Sequence, residues 1–133
     1  MPATVDWDAM VRGARRMLRR AYTPYSRNPA GAAVLGDSGA VFLGCTVENA
    51  SLGLTVSAAH SAVAQAIAAG EEGVRACAVA LPGNPGPLSC TCCEVLAEFG
   101  APSLPVVVVG KGKTRQVYAL GDLTAPPLGR ARG

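Results

Sequence analysis

With 133 residues, half of them apolar and 16% charged, the chain has the size and balance of one packed domain, which excludes the disordered class. Its formal charge of +3 is modest, and no apolar run approaches the roughly 20 residues of a membrane span, so neither a membrane nor a nucleic-acid partner is expected. Only 5% of residues are aromatic, so the core must be built from Ala, Val and Leu.

Thr4 or Asp6 can cap a first helix reaching about Tyr22, because Trp7, Met10, Ala14, Met17 and Ala21 recur at helical spacing. Arg12, Arg15, Arg16, Arg19 and Arg20 fall between them. Together with Arg130 and Arg132 they admit a nucleic-acid footprint, but without interleaved aromatics or a reader motif they read as a solvated face. Pro24 and Pro29 break the pattern. Residues 31–35 and 41–45 then read as strands of a hairpin turning at Gly36-Asp37-Ser38-Gly39.

A second helix is expected over about 55–69, stopping at Gly70, with Val56, His60, Val63 and Ile67 on one face. Residues 75–81 form a strand of small apolar residues, and the proline-rich stretch 82–87 an irregular loop. Ser89 begins a short third helix ending near Phe99. Residues 105–109 are a continuous apolar run typical of a strand covered on both faces, and a last strand lies near 116–120. The order α-β-β-α-β-α-β-β implies an α/β fold, a five-stranded mixed sheet with helices packed on it. Residues 1–125 are taken as one domain, and the Pro, Gly and Arg-rich tail 126–133 is expected to fray.

The start of the chain predicts no secretory signal, so the five cysteines are expected to be reduced thiols in the cytoplasm and not a disulfide framework. Cys45 and Cys77 fall in apolar stretches and suit a core. Cys90, Cys92 and Cys93 cluster and need another explanation.

Several blocks in order resemble the small, homotetrameric cytidine deaminases. They are Ala21-Tyr22-Thr23-Pro24-Tyr25-Ser26, Gly31-Ala32-Ala33, Gly44-Cys45-Thr46-Val47-Glu48-Asn49-Ala50-Ser51 with Gly53-Leu54-Thr55, and Val95-Leu96-Ala97-Glu98-Phe99. The resemblance implies the cytidine-deaminase three-layer fold, with helices on both faces of the sheet. In that family a Cys-Ala-Glu-Arg stretch and a Pro-Cys-Gly-x-Cys stretch open two helices, three thiolates hold zinc, and the Glu shuttles the proton of the metal-bound water. Here the first stretch reads Ser57-Ala58-Ala59-His60. An ungapped alignment on 95–99 puts Ser89 and Cys92 at the second and third thiolate positions. An alternative register uses Cys90-Thr91-Cys92-Cys93 as the pair, at the cost of a deletion that would rotate the helix by about 100°.

These replacements set the expectation of no zinc cofactor and no deaminase activity, although three clustered thiols with His60 leave a structural zinc open. The leading expectation is a Cys/His-dependent enzyme. Cys92 at a helix N-terminus is its nucleophile, His60 its general base or acid, and Ser57 and Ser89 its hydrogen-bond donors to a developing oxyanion. Cys93 is an alternative nucleophile or redox partner, or a small core residue. The resemblance further implies a small-molecule pocket in which Glu48 reads a ribose hydroxyl, Asn28 and Thr46 stand where the family carries Phe and Asn, and Ala59 stands at the proton-shuttle position. It also implies a homotetramer, or a homodimer if the altered surface changes assembly. Two alternatives remain: a non-catalytic small-molecule-binding or scaffolding relative, and a zinc-dependent nucleoside deaminase with relocated ligands.

Overall fold

The computed structural model describes residues 4–86, 88 and 90–124, Cys90 by its backbone only. Five strands and three α-helices follow in chain order: α1 (Trp7–Leu18), β1 (Gly31–Gly36), β2 (Val41–Cys45), α2 (Ala58–Ala68), β3 (Val74–Ala80), α3 (Cys90–Phe99), β4 (Pro105–Val109) and β5 (Arg115–Ala119). They build a mixed sheet in the order β2-β1-β3-β4-β5, in which only the β3–β4 pair is parallel. The expected α/β architecture is therefore present, with helices on both faces. The boundary expected at 125 and the tail 126–133 lie outside the described residues.

Side-chain alternation on the strands sorts the core into two layers. Met10, Val11 and Ala14 of α1 pack on Ala33, Ala76, Ala78, Val107 and Val109 on one face of the sheet. Helices α2 and α3 cover Val34, Cys77, Val79, Val106 and Val108 on the other. β1 is buried at all six positions, as a strand sandwiched between helices requires. Complete burial of a Val or Leu contributes roughly 1.5–3 kcal/mol, so these small residues stabilise the fold by number, not by size.

Local chemistry sets the element ends. Asp6 caps α1, its carboxylate accepting from Ala9 N at 3.1 Å, and the helix ends at Leu18, earlier than expected. Ser57 caps α2 by accepting from His60 N at 3.2 Å, so this helix starts at Ala58 and not at Thr55. Gly70 follows the helix with φ 101°, a conformation that favours glycine. The buried face of α2 is Ala58, Ala59, Ala62, Val63 and Ala66, which corrects the face expected from Val56, His60, Val63 and Ile67. Its alanines let the helix lie very close to β2. A Cβ at Gly44 would collide with the backbone N of Ala62 and the carbonyl of Ala58.

Candidate functional site

The site begins with two short backbone ladders. Tyr22 N donates to Thr46 O at 2.9 Å and Glu48 N to Tyr22 O at 2.8 Å, while Val47 and Val56 exchange a pair of 2.9 Å bonds. Three segments distant in sequence, 22–28, 46–48 and the entry to α2, thus lie side by side at one end of the sheet. A fourth wall is residues 81–84, fixed by Leu81 N to Val109 O at 2.9 Å and by Lys111 N to Gly83 O at 2.7 Å. A Cβ at Gly110 would strike Gly83 O, so glycine permits this contact. The walls enclose a cleft of about 960 Å³.

Glu48 is the most strongly organised group in the cleft. Its Oε1 accepts from Tyr25 N at 3.0 Å and Ser26 N at 3.1 Å, and its Oε2 accepts from the Ser26 hydroxyl. The Ser26 hydroxyl bond holds its carboxyl below the usual carboxylate range; partial desolvation opposes this and the two backbone N–H groups add to it. The loop that delivers these donors turns at Arg27, whose φ of 56° lies in the left-handed region. Ser26 Oγ also accepts from Asn28 N at 3.0 Å, so one hydroxyl ties Glu48 to Asn28. Thr46 donates N–H to Ala30 O at 3.0 Å and its hydroxyl to the same oxygen at 3.4 Å.

The opposite end is made by two helix starts. Ser57 and Ala58 of α2 and Thr91 and Cys92 of α3 line the cleft. Helix N-termini present unpaired N–H groups and favour negative charge. Cys92 is only 6% exposed there. Behind it Cys77 is fully buried, and burial, with Cys92 and Cys93 adding a smaller effect, pushes its thiol far above the ordinary range.

The cleft therefore gathers Glu48, Asn28, Thr46, Ser57 and Cys92 from the residues expected by sequence. Of the other described candidates, it does not gather His60, Ala59 or Cys93. His60 was expected beside Cys92, yet it is exposed and lines a separate apolar groove between α2 and α3 with Val63, Ile67, Glu94, Val95, Glu98 and Phe99. The reason is helical phase: successive residues rotate by about 100°, so Ala58 faces the cleft, Ala59 the core and His60 the α3 side. Ala59 is 0% and Cys93 2% exposed within the core, and neither lines the cleft. Ser89 and the side chain of Cys90 lie outside the described residues. Sequence reasoning missed Leu52 and Gly53, presented by a 3₁₀ turn at Leu52–Leu54, and Asn84 and Thr91. Leu52, Gly53 and Asn84 are loop and turn residues that carry no periodic signal.

A family model for the cytidine and deoxycytidylate deaminase zinc-binding region matches residues 2–82, more than half of the chain. The chain belongs to this family. It is 35% identical over 104 residues to a cytidine deaminase of Sporosarcina psychrophila, covering 77% of this chain and 76% of that protein. A cytidine deaminase of Mycobacterium tuberculosis is 40% identical over 103 residues, covering 75% and 76%. The crystal structure of cytidine deaminase from Burkholderia pseudomallei superposes with a TM-score of 0.84 at 36% identity, covering 90% of this chain and 96% of that one.

These matches to cytidine deaminases correct the expectations about function and cofactor. A metal-independent Cys/His enzyme and a non-catalytic relative both give way, because relatives of 35–40% identity over three quarters of the chain are named cytidine deaminase. The expected loss of deaminase activity falls for the same reason. The expected absence of a cofactor falls because the matching region is the family's zinc-binding region. The described side chains do not, however, fit zinc as a three-thiolate centre. Cys92 is the one thiol among the described cleft residues, the Ser57 hydroxyl caps α2, and Ala59 offers no donor. No three His, Cys, Asp or Glu side chains converge as a metal-holding group among the described residues.

Proposed function

We propose that this deaminase-family chain holds a pyrimidine nucleoside in the cleft and removes its amino group hydrolytically, water supplying the incoming oxygen and ammonia departing. The observation that carries the reading is the polarity of the cleft: an ionised, hydrogen-bonded Glu48 at one end and the starts of α2 and α3 at the other. Glu48 accepts a sugar hydroxyl, with Asn28 and Thr46 beside it. The amino-bearing edge of the base lies toward Ser57, Thr91 and Cys92, where backbone N–H groups and helix dipoles favour charge developing on an oxygen. Val79, Leu81 and Leu88 exclude water from the base.

The family's naming as cytidine deaminases supports cytidine as the first compound to try. Ammonia and uridine are measured after incubating the protein with cytidine, with and without added zinc, alongside direct cytidine binding. Ammonia release in step with uridine formation is the expected result. Absence of both binding and ammonia release under all conditions overturns the proposal.

A homotetramer or homodimer is supported by Tyr22, Tyr25, Leu52 and Leu54, which are 54–72% exposed around the rim of the cleft. Light scattering of the purified protein tests this. A reducing, cytoplasmic setting is supported by the free thiols of Cys45 and Cys77. Among the described residues no helix is long and apolar enough to cross a membrane.

A further inference from the structure

An ionised carboxylate offers about four lone-pair sites on its two oxygens. At Glu48 three of them are taken by residues 25 and 26: Oε1 accepts from Tyr25 N at 3.0 Å and Ser26 N at 3.1 Å, and Oε2 accepts from the Ser26 hydroxyl. One acceptor site remains, on Oε2, and both Glu48 and Ser26 line the cleft. The Ser26 hydroxyl has a single proton, and its direction is set from the far side, because Asn28 N donates to Ser26 Oγ at 3.0 Å. That proton therefore goes to Glu48. A glutamate side chain left to itself samples several rotamers, and confining it on binding subtracts from every bond it makes to a ligand. Here the confinement is in place before any ligand arrives.

We propose that Ser26 is a positioning residue for nucleoside recognition, its hydroxyl holding the Glu48 carboxylate in one rotamer with a single Oε2 acceptor site left for one ring hydroxyl of the sugar. This rests on the nucleoside reading above. Ser26 bonds the carboxylate and not the sugar, so it acts through Glu48 alone. Without the Ser26 hydroxyl the same negative charge is free to rotate and is shared with water. The bond to the sugar hydroxyl weakens, while the contacts to the base stay as they were.

The test is calorimetric binding of cytidine and of 2′,3′-dideoxycytidine, which lacks both ring hydroxyls, to the wild-type chain, Ser26→Ala and Ser26→Thr. Ser26 is exposed in a turn, so neither substitution disturbs the core. A hydrogen bond to a charged group corresponds to roughly 10–100-fold in affinity, so the wild type is expected to bind cytidine tighter than the dideoxy compound by that factor. Ser26→Ala is expected to cut the preference to about 3-fold or less by weakening cytidine binding alone, and Ser26→Thr, which keeps the hydroxyl, to restore it. Added to Glu48→Gln, Ser26→Ala is expected to change nothing further. Equal weakening of both ligands by Ser26→Ala, a preference that survives it, or equal binding of both nucleosides by the wild type overturns the role of Ser26 while leaving the nucleoside reading standing. Failure of every form to bind either compound overturns both.

Discussion

Gly44→Ala sets two physical effects of opposite sign against each other. Placing alanine in a strand ordinarily stabilises by roughly 0.5–1 kcal/mol, because glycine loses more backbone freedom on folding. At Gly44 the new methyl group would meet the backbone N of Ala62, the carbonyl of Ala58 at 2.7 Å and the Ser61 hydroxyl at 2.8 Å. Two of these are backbone atoms of α2, which cannot step aside by a rotamer change. Relief requires the helix to lift off β2, and overpacking of this kind costs about 1–3 kcal/mol. The collision wins, and because α2 carries Ser57, the lift also widens the reaction end of the cleft. Gly53→Ala is the control, since nothing lies within 4 Å of its Cβ position and its backbone is compatible with alanine. Urea unfolding monitored by far-UV circular dichroism is expected to show a lower midpoint for Gly44→Ala with an unchanged slope, and no loss for Gly53→Ala. A Gly44→Ala protein as stable as the wild type would refute the close-approach argument.

Other consequences are equally direct. Leu96 is 0% exposed between α2, α3 and the sheet, and Leu96→Ala is expected to cost roughly 2–5 kcal/mol in the same unfolding assay. Glu48, Glu71 and Asp8 all have folded-state carboxyls held below their ordinary values, by hydrogen bonds from Ser26 and Ser38 and by Arg115 respectively. A depressed pKa contributes stability that is present above the unfolded value of about 4 and lost as pH falls through the folded one, so the protein weakens below that pH. Ser26→Ala is expected to raise the Glu48 pKa, read by carbon NMR of the carboxyl group. The Arg15 guanidinium donates to the carbonyls of Gly110 and Gly112 at 3.0 and 2.9 Å, fastening α1 to the β4–β5 turn. Arg15→Met is expected to speed proteolysis at 111–114. Fully buried Cys77 is expected to react with a thiol reagent only on global unfolding, and half-buried Cys45 earlier, followed by mass spectrometry of the labelled peptides.

The strands and their order of appearance were legible in the sequence because two-sided burial writes continuous apolar runs such as 105–109, and turn residues punctuate them. Helix ends were less so: Thr55 and Ser57 are both competent caps, and the isolated Val47–Val56 bridge, which holds residue 56 extended, decides for Ser57. The face of α2 was misread because the pattern weighted Ile67 and His60 above alanines, whereas close approach to Gly44 demands the alanines inside. His60, expected beside Cys92, lies instead in the exposed α2–α3 groove. Glu48 was legible through its motif, but its Ser26 clamp was not, since the partners lie 22 residues apart. The function was misjudged by weighing three replaced residues above the similarity of the rest of the chain.

The parallel β3–β4 pairing has a consequence for synthesis. A hairpin such as β1–β2 closes locally and early, but β3 meets β4 only after α3 has been made, so this join is slow by topology. Residues 81–84 are emitted between the two strands and are anchored by Val109 and Lys111, which leave the ribosome later. A nascent chain therefore carries Glu48 and Ser57 for some seconds with no far wall opposite them, and ligand affinity arises only once the fourth strand has docked.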